Sequence, residues 1–280
     1  MRPLRLASFW LLAAASLAVA ASPAWAQSIV TGGGPTCIPA PGDFDGDGDI
    51  DFAQLCSGAW HFYNANGSYI KGIWTGAPQS AFPVPADYDG DGITDVVFFD
   101  AGAWHFYNYT TGTYDSARSR WTGSDPSAVP VPLDFNGDGF TDKSLYSLGA
   151  WHFFNENGSY LKGIWVGNTA GNIPVPFDRD GDGDEDPVLF NNNNSWHFFD
   201  FATGAYQGGV MTPRPGGGAY TNPRPAPLDL DGDGKPELGV YEVVGGTGFW
   251  HFFSVNGTFL RTVNTGAAST DRPISRRMLP

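Results

Sequence analysis

The sequence predicts an all-β protein, a five-bladed β-propeller of four-stranded antiparallel blades. The first observation behind this prediction is a segment of roughly 46 residues that occurs five times along the chain. The second is that each copy has the hydrophobic pattern of four short strands, whereas no stretch has the pattern of a long amphipathic helix. Four antiparallel strands in about 40 to 50 residues are typical of one propeller blade.

The first element along the chain is a predicted secretory signal peptide, residues 1–26. Arg2 and Arg5 form a positive start, an apolar run extends from Leu6 to Ala21, and Ala24-Trp25-Ala26 resembles a cleavage site. A membrane-spanning helix is the alternative, but serines interrupt the run and a proline follows it. We therefore expect secretion, to the extracellular space or the periplasm, after cleavage near Ala26, and no membrane span in the mature chain.

Residues 27–280 are predicted to form a single propeller domain. Each repeat opens with Pro-x-Pro-x-Asp, and the opening prolines are spaced 44, 47, 44 and 51 residues apart, with an insertion around Met211 to Asn222 in the longest interval. A C-terminal tail, residues 271–280, either adds a strand to the first blade or trails from the last. The predicted repeats are about 37–81, 82–128, 129–172, 173–222 and 223–270.

Within the second repeat, the predicted strands cover residues 82–88, 94–101, 103–109 and 113–121. Asn-Gly or Thr-Gly pairs between the third and fourth strand of each repeat favour tight hairpin turns. Residues two apart on a strand direct their N–H groups to the same side, so the paired prolines of the first strand leave one edge without donors. That strand must lie at the edge of its sheet, and we place it innermost, facing the central channel.

The composition fits a turn-rich β protein rather than a disordered chain. Glycine (38) and proline (22) together make 60 of 280 residues, yet 15% of the residues are aromatic. The formal net charge is −14, and loss of the two signal-peptide arginines changes it to −16. This charge excludes a nucleic-acid binder that relies on a basic surface, and it favours bound cations.

The two cysteines are predicted to form a disulfide bond, as is usual in exported proteins. Cys37 and Cys56 lie on either side of the first acidic loop, so two antiparallel strands that leave this loop can bring them opposite each other. Two unpaired thiols are the alternative. The bond would fasten the N-terminal strand to its neighbour, where a free end would otherwise fray.

Each repeat contains a nine-residue acidic loop whose pattern indicates a calcium site. Ca²⁺ binds about six to eight oxygen atoms, which side chains at loop positions 1, 3 and 5, a backbone carbonyl at position 7 and a carboxylate at position 9 can supply. Glycine at positions 4 and 6 allows the sharp turns that bring these groups together. The predicted ligands, in order of position, are Asp43, Asp45, Asp47, Asp49 and Asp51; Asp87, Asp89, Asp91, Ile93 and Asp95; Asp134, Asn136, Asp138, Phe140 and Asp142; Asp178, Asp180, Asp182, Asp184 and Asp186; and Asp229, Asp231, Asp233, Lys235 and Glu237.

The number of acids distinguishes these loops from ordinary turns. Of the twenty side chains at positions 1, 3, 5 and 9, eighteen are aspartate, one is Asn136 and one is Glu237. An Asp-Gly turn needs one acid or amide, and four close carboxylates without a cation repel one another. We therefore expect up to five Ca²⁺ ions as structural cofactors. The third loop should bind most weakly by charge, and Pro236 alters the geometry of the fifth.

The Pro-Val-Pro-x-Asp-x-Asp-Gly-Asp-Gly pattern, most complete at Pro83 to Asp95, resembles the FG-GAP/VCBS repeats of calcium-binding β-propellers, which include the integrin α-subunit propeller. The resemblance covers the whole mature chain. The Phe-Gly and Gly-Ala-Pro segments of the family are represented only by fragments such as Gly76-Ala77-Pro78. The resemblance implies structural Ca²⁺ in the loops and a propeller surface that binds partners or glycans.

A Trp-His-Phe triplet in each repeat places tryptophan and phenylalanine on one face of its strand and histidine on the other. The histidines form either a ring of ligands, a pH-sensitive site or, as we favour, a repeated blade-to-blade hydrogen bond. The triplet tryptophans are predicted to pack between blades. Trp74, Trp121 and Trp165 near the outer-strand ends either pack at the rim or form exposed platforms for sugars. The five histidines are His61, His105, His152, His197 and His251.

No catalytic residues are predicted. The paired carboxylates are explained by the metal loops, no Ser-His-Asp arrangement stands out from the repeat, and the sequence contains no HExxH or phosphate-loop motif. The predicted function is an extracellular binding or adhesion module for glycans or proteins, not an enzyme. The alternatives are a carbohydrate-active enzyme that resembles a polysaccharide lyase, and a component of a calcium-dependent assembly.

Overall fold

The computed structural model describes residues 37–64, 66–123, 125–167, 171–191 and 193–267, which all belong to one compact unit, residues 31–280. Twenty strands form five separate four-stranded antiparallel sheets, arranged as a five-bladed β-propeller, so the predicted fold class is confirmed. The predicted signal peptide and C-terminal tail lie outside the described residues. Within the described ranges, no helix is long and apolar enough to cross a membrane.

Each sheet takes its four strands from one repeat, in the order in which they occur along the chain. The first blade comprises β1 (Cys37–Pro39), β2 (Phe52–Cys56), β3 (Ala59–Tyr63) and β4 (Tyr69–Trp74). The second comprises β5 (Phe82–Pro83), β6 (Val96–Asp100), β7 (Ala103–Tyr107) and β8 (Tyr114–Trp121). The third comprises β9 (Val129–Pro130), β10 (Ser144–Ser147), β11 (Ala150–Phe154) and β12 (Tyr160–Trp165). The fourth comprises β13 (Ile173–Pro174), β14 (Val188–Phe190), β15 (Ser195–Phe199) and β16 (Tyr206–Met211), and the fifth β17 (Arg224–Pro225), β18 (Leu238–Val244), β19 (Thr247–Phe253) and β20 (Phe259–Ala267).

The first strand of every blade is short and lies at an edge of its sheet, as its prolines require. In the second repeat it is shorter than predicted, because β5 pairs with β6 only over Phe82 and Pro83. Beyond Pro83 the Val84 N–H still donates to the carbonyl of Val97, and the two chain segments then meet at a single bridge between Ala86 and Asp95. The other three strands of this repeat end within two residues of their predicted bounds.

The predicted disulfide bond is present between Cys37 and Cys56, which face each other across β1 and β2. Its sequence separation of 19 encloses the whole first acidic loop. The bond therefore fastens the three-residue strand β1, which has few backbone hydrogen bonds of its own, to the body of the first blade.

Four apolar clusters occupy the interfaces between consecutive blades. At the first interface, Trp60 and Phe62 pack with Val96 and Phe98 of the next blade. The corresponding tryptophans of the first four blades are fully buried, as predicted, whereas Trp250 of the fifth blade is only partly buried. Among the described residues, no such cluster joins the fifth blade to the first. The four buried tryptophans are Trp60, Trp104, Trp151 and Trp196.

Candidate functional site

The five acidic loops connect the first strand of each blade to the second and share one conformation. In every loop the position 1 carboxylate accepts hydrogen bonds from the backbone N–H groups of the glycines at positions 4 and 6, at 2.6–3.0 Å. Both glycines have positive φ in all five loops. Side chains at these positions would strain the backbone, which explains why the two glycines do not vary along the repeat.

This conformation brings carboxylates together in four of the loops, where one oxygen from each of three acids lies within 4.8 Å of the other two. In the third loop Asn136 replaces an acid and donates its Nδ2–H to Asp142. Oxygen donors gathered on a short turn fit a hard cation such as Ca²⁺. The triads are Asp43, Asp45 and Asp51; Asp87, Asp89 and Asp95; Asp178, Asp180 and Asp182; and Asp229, Asp231 and Asp233.

Burial and repulsion by neighbouring acids raise the pKa of several loop carboxyl groups. Burial, followed by the neighbouring Asp138, raises the pKa of Asp142 to about 7. Burial also raises the pKa of Asp186 to about 6, and burial together with Asp182 raises the pKa of Asp184 to about 6. A bound cation would reverse this balance by stabilising the charged carboxylates. The donor set and its electrostatics therefore both fit a divalent ion.

Adjacent loops are also linked to one another, a feature that the repeat pattern did not reveal. Side chains at position 7 pack closely on the position 4 glycine of the preceding loop, so that a methyl group there would lie only 1.8–3.0 Å from their nearest atoms. In addition, the position 8 N–H of loops two to four donates to the position 1 carbonyl of the preceding loop, at 2.6–2.8 Å. The side chain at position 7 thus links neighbouring blades, independently of the predicted role of the position 7 carbonyl as a calcium ligand. The packed pairs are Ile93 on Gly46, Phe140 on Gly90 and Lys235 on Gly181.

The second loop differs from the others because it already holds a cationic side chain. Arg118 of β8 donates to both carboxylate oxygens of Asp95, at 2.6 and 2.5 Å, and lies 3.0 Å from Asp89. The guanidinium also packs over the ring of Phe106, with 4.8 Å between its carbon and the ring centroid. Asp89 and Asp95 are two of the three converging acids of this loop. A metal ion in this loop would therefore compete with the guanidinium for the same oxygens.

Arg118→Gln is expected to raise the calcium affinity of the second loop about tenfold, because it removes the competing charge. Calorimetric calcium titration of the variant and the wild type measures this affinity. Arg120→Gln is the matched control, since Arg120 lies on the same strand and donates to the carbonyl of Ser119 instead of the loop. Identical titrations for the two variants would show that Arg118 does not compete with calcium.

A second type of site recurs at the blade interfaces, as a cleft between the outer strand of one blade and the third strand of the next. The cleft between the third and fourth blades has a volume of about 530 Å³, and the one between the first and second about 370 Å³. Both volumes are typical of small-ligand sites. The matching lining residues are Thr75, Gly76, Phe98, Asp100, His105, Tyr107 and Tyr114 in one cleft and Val166, Gly167, Leu189, Asn191, His197, Phe199 and Tyr206 in the other.

The histidines of these clefts are held by their own blade. His197 Nε2 lies 2.9 Å from Asn191 Nδ2, and His197 Nδ1 lies 3.2 Å from the Tyr206 hydroxyl. The favoured interpretation, a blade-to-blade hydrogen bond, is therefore wrong for His197, because both of its partners belong to its own blade. Burial lowers the pKa of His105 and His197, so both imidazoles are neutral at pH 7 and can each donate and accept one hydrogen bond.

The three outer-strand tryptophans are exposed, which agrees with the platform interpretation rather than with rim packing. Trp74, Trp121 and Trp165 have 73%, 63% and 69% of their surface accessible. Trp165 lines the larger cleft directly, and Trp74 precedes Thr75, which lines the smaller one. An aromatic ring beside polar hydrogen-bonding groups offers a ligand both an apolar face and directional contacts.

Residues 87–142 match the FG-GAP-like repeat. The chain carries an FG-GAP-like repeat. The matched segment begins at the acidic loop of the second blade and ends with the acidic loop of the third. The five-bladed propeller is consistent with the FG-GAP/VCBS repeat family, so the resemblance inferred from the loop motif is confirmed. A comparison with curated protein sequences found no match.

Two solved structures have folds similar to this propeller. A lectin from Agrocybe aegerita that recognises non-reducing terminal N-acetylglucosamine has a TM-score of 0.57 and 16% identity, over 82% of this chain and 66% of the lectin. The Tc holotoxin pore of Photorhabdus luminescens has a TM-score of 0.53 and 17% identity, over 79% of this chain and 11% of the toxin. The chain thus spans slightly less than two thirds of the lectin. At these identities the fold alone is shared.

Proposed function

We propose that the protein is a secreted, calcium-stabilised propeller that binds glycans in its interblade clefts and does not cleave them. The observation that carries this proposal is the repeated cleft lined by a histidine, a tyrosine and an acid or amide, to which Trp165 of the preceding blade adds an exposed ring in the larger cleft. The disulfide bond supports export to an oxidising compartment. The lectin with a similar fold supports a carbohydrate ligand over a protein one.

The chemistry of the larger cleft suits a sugar. The apolar face of a pyranose ring can stack on Trp165, while its hydroxyl groups exchange hydrogen bonds with Asn191, His197 and Tyr206. The Asn191 amide is uncharged, and burial lowers the pKa of His197 and keeps its imidazole neutral at pH 7, so these groups favour a neutral ligand. The smaller cleft has Asp100 in place of Asn191, which makes it a stronger acceptor for ligand hydroxyl or amino groups.

The distribution of carboxylates supports binding without hydrolysis. Glycoside hydrolysis uses a pair of acids on either side of the scissile bond. Among the described residues that line the two clefts, Asp100 is the single carboxylic acid. The paired acids lie in the loops between first and second strands, where they suit a structural Ca²⁺ that ties neighbouring blades together.

A glycan array probed with the calcium-loaded protein tests the proposal, followed by mass spectrometry of any bound glycan after incubation. We expect calcium-dependent binding and an unchanged glycan. Trp165→Ala should weaken binding about tenfold through the loss of ring stacking. Met211→Ala is the matched control, because Met211 occupies the same register position in the next blade and is also exposed. An array without binding, or shortened products, would refute the proposal.

A further inference from the structure

The interface between the fourth and fifth blades contains the same groups as the open clefts, but it is closed. Glu242 lies two residues beyond the cross-strand partner of His251, the register position that Asn191 occupies beside His197. His251 Nε2 lies 3.1 Å from Glu242 Oε1, which reproduces the contact between His197 and Asn191. Glu242 is completely buried and His251 is 4% exposed, whereas His105 and His197 are partly exposed.

The closure comes from the segment between β16 and β17. This connection, residues 212–223, has 12 residues, whereas the corresponding connections 75–81, 122–128 and 166–172 have 7 each. The extra length includes three consecutive glycines, residues 216–218, which all have positive φ and let the chain fold back on itself. The Gly217 N–H donates to the carbonyl of Arg214, which closes the turn.

Two side chains of this segment occupy the cleft. Arg214 Nε donates to Glu242 Oε1 at 2.6 Å, and the N–H of Thr221 donates to Glu242 Oε2 at 2.9 Å. The Tyr220 ring lies 5.5 Å from the imidazole of His251, centroid to centroid, and packs in the apolar cluster of this interface. The Tyr220 hydroxyl is buried and has no hydrogen-bond partner among the described residues. The ring, rather than the hydroxyl, therefore explains this contact.

We infer that residues 212–223 act as an internal ligand of the fourth interblade cleft. The inference rests on the proposed function of the open clefts: the Tyr220 ring takes the place of a sugar ring and Arg214 satisfies the acid that faces it. The outer strands support this independently, because the first three blades end theirs in tryptophan, whereas the fourth has Met211 at that register position before the filled cleft. Glycan binding is thereby restricted to the clefts among the first four blades.

Acylation of histidines by diethyl pyrocarbonate, with peptide mass mapping, tests the inference without any glycan. In the calcium-loaded wild type we expect His105 and His197 to react and His251 to react at least about tenfold more slowly, because its ring is covered. Arg214→Ala/Tyr220→Ala/Glu242→Gln clears the cleft without leaving an unpaired carboxylate, and His251 should then react about as fast as His197. Tyr220→Phe is the matched control that keeps the ring, and it should keep His251 protected.

Native mass spectrometry with chitotriose, a soluble oligomer of N-acetylglucosamine, gives the second readout. We expect one more bound trisaccharide in the cleared variant than in the wild type. Equal reactivity of His251 and His197 in the wild type, or continued protection in a cleared variant with native circular dichroism, would overturn the inference. If His251 becomes exposed in the cleared variant but neither this variant nor the wild type binds chitotriose, the inference that residues 212–223 fill the cleft is supported. The proposal that the open clefts bind a sugar would then be refuted.

Discussion

Removal of calcium with excess chelator is expected to lower the thermal midpoint by roughly 20 °C or more. An ion at about 100 times its dissociation constant stabilises the folded state by about 2.7 kcal/mol per site, and up to five sites are proposed. Each kcal/mol shifts the midpoint of a domain of this size by about 2–4 °C. The physical cause is the return of mutual repulsion among the three acids that converge in each of four loops. Differential scanning calorimetry with and without chelator measures the shift.

The pH dependence of this shift provides an internal control. In the calcium-free protein, burial raises the pKa of Asp142 to about 7 and that of Asp186 to about 6, above the unfolded value of 3.8. These acids therefore take up protons in the folded state first, so acidification from about pH 7.5 to 5.5 stabilises the calcium-free form while it expels the ion. The difference in midpoint between the two forms should shrink across this window. A chelator effect that is absent, or independent of pH, would contradict structural calcium in these loops.

The repeat makes some features predictable because they depend on neighbouring residues alone. The glycines at loop positions 4 and 6 and the acids around them define the turn locally, and the paired prolines place the first strand at an edge. The exception is β5, which pairs with β6 over Phe82 and Pro83 alone, because the apolar pattern up to residue 88 reflects the burial of Val84 and Tyr88 rather than backbone pairing.

Features that depend on contacts between distant segments could not be predicted in the same way. Arg118 reaches Asp95 from 23 residues away, and Arg214 reaches Glu242 from 28. Both arginines are ordinary surface residues by sequence. The folding of the second blade brings Arg118 of β8 to its carboxylate, and the packing of the segment 212–223 against the fifth blade brings Arg214 to Glu242. The insertion before the fifth repeat was visible in the spacing of the prolines, but its position inside a cleft depends on the juxtaposition of two blades. The clefts themselves have the same origin.

Arg214→Ala is expected to lower the free energy of unfolding by about 3–5 kcal/mol, because it leaves Glu242 as a completely buried carboxylate without its cationic partner. His251 cannot take over this role at pH 7, since burial lowers its pKa and keeps the imidazole neutral. Urea unfolding of the calcium-loaded proteins measures the loss. Arg261→Ala is the control, because Arg261 is an exposed cation of the same blade, and its loss should change stability by less than about 1 kcal/mol.

The double variant Arg214→Ala/Glu242→Gln separates charge from packing. If the unpaired charge causes the loss, glutamine removes it while keeping the hydrogen bond from Thr221, and most of the stability returns. If Arg214 acts mainly by holding the segment 212–223 in place, the double variant stays as unstable as the single one. Recovery would mean that the segment 212–223 keeps its position through Tyr220. The ion pair would then chiefly neutralise an acid at the position that Asp100 occupies in the cleft between the first and second blades. The same acid position, occupied by Asp100 between the first two blades, would then be the one best placed to select a ligand.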